Sequence, residues 1–172
     1  MERYLPFAQR MASRSEVFQL RFARAAARHL QRSASLDWLC DGHGLELLAD
    51  NEDVLAEAGA QLWRVYGDDL KVGEVRARYR WDPMPLEPVM NVVVTVPSAF
   101  GTRAQALLRA RGVSVGVYDS GRREWRFVGD APAARIIGLR DQLDLLTDGT
   151  AKTQTTLLGY FAPPPGPGGD AA

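Results

Sequence analysis

Apolar positions change period along this chain, and the changes mark out its elements. Phe18, Phe22, Ala25 and His29 recur at helical spacing, which predicts a helix over 17–32 with that stripe inward. Two short apolar runs follow, Leu36 to Cys40 and Leu45 to Leu48, separated by Asp41-Gly42-His43-Gly44. Glycines in such a spacer accept positive φ, so the pair reads as two strands joined by a turn. Asn51 then stands where a helix cap is expected, ahead of Leu55, Ala58, Leu62 and Val65 on one face, with Gly67 as the stop. From Val75 to Trp81 the pattern alternates, Val75, Ala77, Tyr79 and Trp81 against Arg76, Arg78 and Arg80, the signature of a half-buried strand.

Asp82-Pro83-Met84-Pro85 interrupts the alternation. Proline lacks an amide donor and restricts its neighbour, so this is the best domain boundary. Beyond it, a valine-rich strand is expected over 89–96 and a helix near 99–111 burying Phe100, Ala104, Leu107 and Leu108. Strands at 113–118 and 123–128 flank Asp119-Ser120-Gly121. A helix over 132–147 presents Ile136, Leu139, Leu143 and Leu146, with Pro132 in its first turn and Gly149 at its exit. A strand over 151–161 closes the unit. That order is βαββαβ, the ferredoxin-like split motif. The first half reads αββαβ, with Tyr4 to Ala12 as candidate for a degenerate first strand. The fold class is therefore α+β: two tandem ferredoxin-like domains, 1–82 and 83–162. A Pro/Gly-rich tail, 163–172, is expected to be disordered.

The second half resembles the C-terminal domain of elongation factor G. The resemblance rests on Leu86-Glu87-Pro88-Val89-Met90-Asn91-Val92-Val93-Val94-Thr95-Val96-Pro97, on Arg109-Ala110-Arg111-Gly112, on Ile137 through Gly149, and on the closing Leu158-Gly159-Tyr160. More faintly, the first half resembles that factor's third domain, through Leu62-Trp63-Arg64-Val65-Tyr66-Gly67 and the run Leu70 to Arg80. The resemblance implies a third and a fifth domain joined directly, without the GTPase, second or fourth domains. It also implies a translation-associated, non-catalytic accessory protein that binds the ribosome factor site or a translation factor in the cytoplasm. The alternative is a protein-interaction module of ferredoxin-like fold unrelated to translation. Two family signatures are replaced. Ala49 to Ala56 stands in place of Gly-Met-Gly-Glu-Leu-His-Leu-Glu. Gln142 to Ala151 lacks both arginines of the segment that approaches ribosomal RNA, with Asp144 at one of their positions.

Composition narrows the function classes. Formal net charge is zero, which argues against a whole surface built for nucleic acid and leaves room for a local patch. DNA is not an expected partner. The sharpest asymmetry is at the start, where residues 1–32 hold seven arginines against two acids. Arg21, Arg24, Arg28 and Arg32 line one helix flank, either as a docking surface or as a solvated face. Arg76, Arg78 and Arg80 place three guanidiniums on one strand face, either as a contact for RNA, or as a solvated face or an interface with the second domain.

One cysteine and two histidines make no conventional zinc site, and Cys40 with His43 lacks a third group to orient a nucleophile. His29 reads as a core histidine, and Trp38, Trp63 and Trp125 as core or inter-domain packing. Trp81, at the end of its strand, is expected to be covered by the neighbouring domain. No glycine pair is followed by Gly-Lys-Ser/Thr, so no phosphate loop is present and no cofactor is expected. No apolar run has membrane-spanning length.

Overall fold

The computed structural model describes residues 4–163, the side chains of Val117 and Tyr118 excepted. The first domain runs β1 (Phe7–Ser13), α1 (Gln19–Ala27), β2 (Leu36–Asp41), β3 (Gly44–Ala49), α2 (Glu52–Tyr66) and β4 (Leu70–Ala77). Its sheet has the order β2-β3-β1-β4 and is antiparallel throughout. The second domain runs β5 (Arg80–Trp81), β6 (Pro85–Pro97), α3 (Gly101–Ala110), β7 (Ser114–Ser120), β8 (Glu124–Pro132), α4 (Ala133–Ile136), α5 (Leu139–Thr147) and β9 (Lys152–Phe161). Here β6 pairs with both β8 and β9, and β7 lies beyond β8. In each domain the first long strand pairs with the third and fourth, the ferredoxin-like arrangement expected from the element order.

The first strand of the first domain is complete and central. A register shift between Gln9 and Met11 breaks its alternation, which is why the pattern there reads as weak. β3 sends Leu45, Leu47 and Ala49 into the core, and α2 answers with Leu55, Ala58 and Leu62, all buried. Burying a leucine contributes on the order of 1.5–3 kcal/mol. The Asn51 side chain accepts from the Val54 amide at 3.0 Å, and Gly67, at φ +52, stops α2. Gly44, at φ +125, cannot be replaced freely. A Cβ there would lie 2.3 Å from the Met11 carbonyl oxygen. In the second domain Met90, Val92, Val94 and Val96 of β6 meet Ala104, Leu108, Leu139 and Leu143. One continuous apolar cluster runs through both domains, with Leu5, Ala8 and Leu48 forming a small satellite.

Several expectations are corrected. α1 is rotated: Phe22, Ala23 and Ala26 are buried, while Phe18, Ala25 and His29 face outward. The small alanines around Phe22 allow that choice, since burying Ala23 and Ala26 brings the helix close to the sheet. Val65, in the last turn of α2, is exposed although Leu62, one turn earlier, is buried. Trp63 and Trp81 are exposed, not packed between domains. β4 ends at Ala77, and Arg80–Trp81 cross to the second sheet, pairing with Leu86 and Pro85. The prolines therefore mark a tight hairpin, in which the Asp82 amide donates to the Met84 carbonyl at 3.0 Å.

The single helix expected over 132–147 is two, α4 and α5, split at Gly138 with φ +72. The tail expected at 163–172 lies outside the described residues apart from Pro163. Among the described residues no helix is long and apolar enough to cross a membrane.

Candidate interaction surface

The flank of α1 is where exposed charge accumulates. With Phe22 and Ala26 inward, helical geometry sends Arg21, Arg24, Ala25 and Arg28 outward. Phe18, the N-cap, is 72% exposed, and with Leu20 it shares a shallow concavity with those residues. Arg21 stands 3.8 Å from Glu16, a solvated pair worth at most about 1 kcal/mol. Among the described residues Arg24 and Arg28 have no acid within ion-pair range. Arg32 is different. It pairs with Asp37 at 3.2 Å and lies 5.0 Å from the Trp38 ring centre, so it is held against the domain.

The arginines of 76–80 do not form one ladder. Arg76 is on β4 and pairs with Glu46, which Arg10 also approaches, at 3.4 Å. Arg10 in turn holds Asp41 at 2.6 Å, and that hydrogen bond draws the Asp41 carboxyl below its usual pKa. Arg78 follows the end of β4, its amide donating to the Pro6 carbonyl at 2.7 Å. Arg80 pairs with Asp82 at 3.0 Å and lies 4.6 Å from the Tyr4 ring centre. Tyr4 meets Tyr160 edge-on at 5.8 Å, tying the start of the first domain to the last strand of the second. Arg76 and Arg80 are thus structural charges, and the α1 flank keeps the open ones.

A second junction joins the domains at two helix starts. Glu52 opens α2, and its two carboxylate oxygens accept from the Gly138 amide at 3.0 and 3.1 Å. That amide sits at the N-cap of α5, where helix donors lack internal partners and a negative charge is favoured. Burial pushes the Glu52 carboxyl above the usual glutamate value. The Gly138 hydrogen bond offsets part of this, and Asp141 adds to it. Arg140 pairs with Asp53 across the same junction. The sequence carried no signal for this contact, because Glu52 and Gly138 lie 86 positions apart.

The segment 142–151 kept its fold signals. Thr147 is buried, donates to the Leu143 carbonyl at 2.8 Å and accepts from the Ala151 amide at 2.9 Å, closing α5 into β9. Asp144 lies 3.8 Å from Arg140, and Leu145 is 83% exposed. Cys40 is no activated thiol. Burial raises its pKa, against the pull of Arg24 and Arg32, and a raised pKa leaves the thiol protonated. The His43 amide donates to Asp41 at 2.7 Å in the turn. His29 is exposed and lies edge-on to Tyr66 at 5.9 Å. Among the described residues no cluster of His, Cys, Asp or Glu is arranged to hold a metal.

Residues 85–166 match the family described as elongation factor G C-terminus, a non-catalytic domain. No curated protein sequence matches the chain. Among solved structures, the crystal structure of a Thermus thermophilus protein superposes with a TM-score of 0.60 at 14% identity. The alignment covers 92% of this chain and 41% of that one, and at such identity it speaks to fold alone. The elements from β6 to β9 lie within the span matched by the family. The chain therefore resembles elongation factor G, and the resemblance is carried by a second domain similar to that factor's C-terminus.

Proposed function

We propose that this chain is a non-catalytic, translation-associated accessory protein that docks on the ribosome factor site or a translation factor through the α1 flank. The family match over 85–166 carries the reading. The surface chemistry supports it, since Arg21, Arg24 and Arg28 are exposed guanidiniums not committed to firm internal pairs. Guanidiniums displace counterions from phosphates, and one exposed aromatic at the helix start suits contact with an unstacked base. We take two units, close to 1–82 and 83–162 but with Arg80–Trp81 paired into the second sheet, and the cytoplasm as its place of action.

A second reading, a protein-interaction module outside translation, is favoured by Asp144 and Thr150 at positions where the resembled segment carries arginine. Sucrose-gradient co-sedimentation with ribosomes at low salt separates the two. Migration with the ribosomal fraction, reduced by Arg21→Ala with Arg24→Ala and Arg28→Ala, supports the first. A chain that stays at the top of the gradient at every concentration, with ribosomes and their bound factors present, overturns it.

A further inference from the structure

Two helix faces of this chain match one another in spacing and oppose one another in charge. On α1 and its C-cap the outward stripe reads Arg21, Ala25, Arg28; on α5 and its C-cap it reads Asp141, Leu145, Asp148. Both follow a four-then-three spacing in sequence; on α1 the pair spans about 10 Å of helix, while on α5 Asp141 and Leu145 lie about 6 Å apart along the helix and Asp148, at φ +53, stands just beyond its last turn. All six residues are exposed. The central positions differ in size, a small Ala25 against a projecting Leu145 that is 83% exposed. Packed antiparallel, the two stripes would place the leucine over the alanine and each aspartate near an arginine. Phe18 extends the apolar strip of α1, and Arg24 and Asp144 flank the two stripes.

We propose that α1 of one copy docks on α5 of a second copy of this chain, so that the protein associates with itself through opposed charge and one leucine knob. The contact joins two different faces, so it either closes as a two-fold pair that makes it twice or repeats head to tail. Short helices of this kind cover less than the ~1,200 Å² typical of stable complexes. Association is therefore weak, with a Kd on the order of 100 µM, and it is weakened further by salt because the pairs sit in solvent. Neither this inference nor the ribosome reading requires the other, but both use Arg21 and Arg28, so a second copy and the ribosome compete for the same face.

Sedimentation velocity over a wide concentration series tests it. The unaltered chain is expected to gain mass with concentration at low salt and to remain monomeric at high salt. Arg21→Asp with Arg28→Asp, and separately Asp141→Arg with Asp148→Arg, should each lower self-association at least tenfold. The decisive sample is their mixture. There the acidic α1 of the first variant faces the basic α5 of the second, and the two unaltered faces still oppose one another in charge. Mixed, the two variants should associate at least as well as the unaltered chain. Circular dichroism confirms that each is folded, the altered side chains being exposed.

Three outcomes overturn the proposal: no association at millimolar concentration, association that ignores both reversals, or a mixture that stays monomeric. The second of these, together with ribosome binding lowered by the α1 reversal, assigns that face to RNA.

Discussion

Removing the Glu52 carboxylate tests how the two domains are joined. Its oxygens accept from the Gly138 amide at 3.0 and 3.1 Å, at the first turn of α5. Glu52→Ala leaves that amide without its acceptor and empties part of the junction. A hydrogen bond to a charged group is worth about 1.5–3 kcal/mol. The site is half-buried and water can replace part of the loss, so the expected cost is about 1–2 kcal/mol. For a chain of this length that lowers Tm by roughly 2–8 °C.

Glu52→Gln behaves differently. Burial raises the Glu52 pKa despite the Gly138 bond, so in the folded protein the charge itself is disfavoured. A raised carboxyl pKa means that the folded state holds a proton the unfolded state has released. Stability from this group is then greatest below the unfolded value and falls as pH rises through the folded one. Glutamine keeps an acceptor oxygen and drops the charge. Urea unfolding at neutral pH should rank the proteins glutamine at least equal to glutamate, and both above alanine. As pH rises above the ordinary glutamate value the glutamine variant should gain on the parent, and hold level once Glu52 is ionised in the folded protein too. An alanine variant as stable as the parent, or a glutamine variant weaker than alanine, refutes the junction as described.

Other substitutions separate backbone, core and surface effects. Gly44→Ala should cost about 2 kcal/mol or more in urea unfolding, because φ is +125 and the new Cβ meets the Met11 carbonyl. Leu143→Ala, in the core of the second domain, should cost about 2–5 kcal/mol, and the whole chain should still melt in one transition because the main apolar cluster is continuous. Trp81→Ala, at a side chain 76% exposed, should change stability by less than about 0.5 kcal/mol while altering tryptophan fluorescence. Two separate calorimetric transitions in the parent would contradict the shared core.

What the amino-acid pattern disclosed was mostly what depends on local chemistry. Asn51 announced α2 because a cap needs one side-chain acceptor beside one free amide. β6 was plain because its buried positions alternate without interruption through the valine run. The inward face of α1 was misread because alanine is small enough to sit on either side, and only the approach to β3 decides. The break at Gly138 was hidden because Ile136, Leu139 and Leu143 keep helical spacing through it. The arginine ladder failed at Ala77, where the chain leaves one sheet for another, a choice made by pairing with Leu86 and Pro85. The Glu52–Gly138 contact was illegible for the plainest reason: nothing local links the two residues. On the candidate surface, the four arginines expected on the first helix stood out as a group, but only the structure showed that Arg32 lies beyond α1, tied to Asp37 and Trp38.

Exposed arginines on the α1 flank that dock on the ribosome through its RNA would give binding a steep salt dependence, and that slope can be measured. The parent and the Arg21→Ala, Arg24→Ala, Arg28→Ala variant are titrated with ribosomes at a series of salt concentrations. Each phosphate contact contributes about 0.7–0.9 to the slope of log affinity against log salt. Loss of three contacts should flatten the slope by about two to three units and weaken binding most at low salt. Identical slopes for the two proteins, or binding that ignores salt altogether, would contradict it.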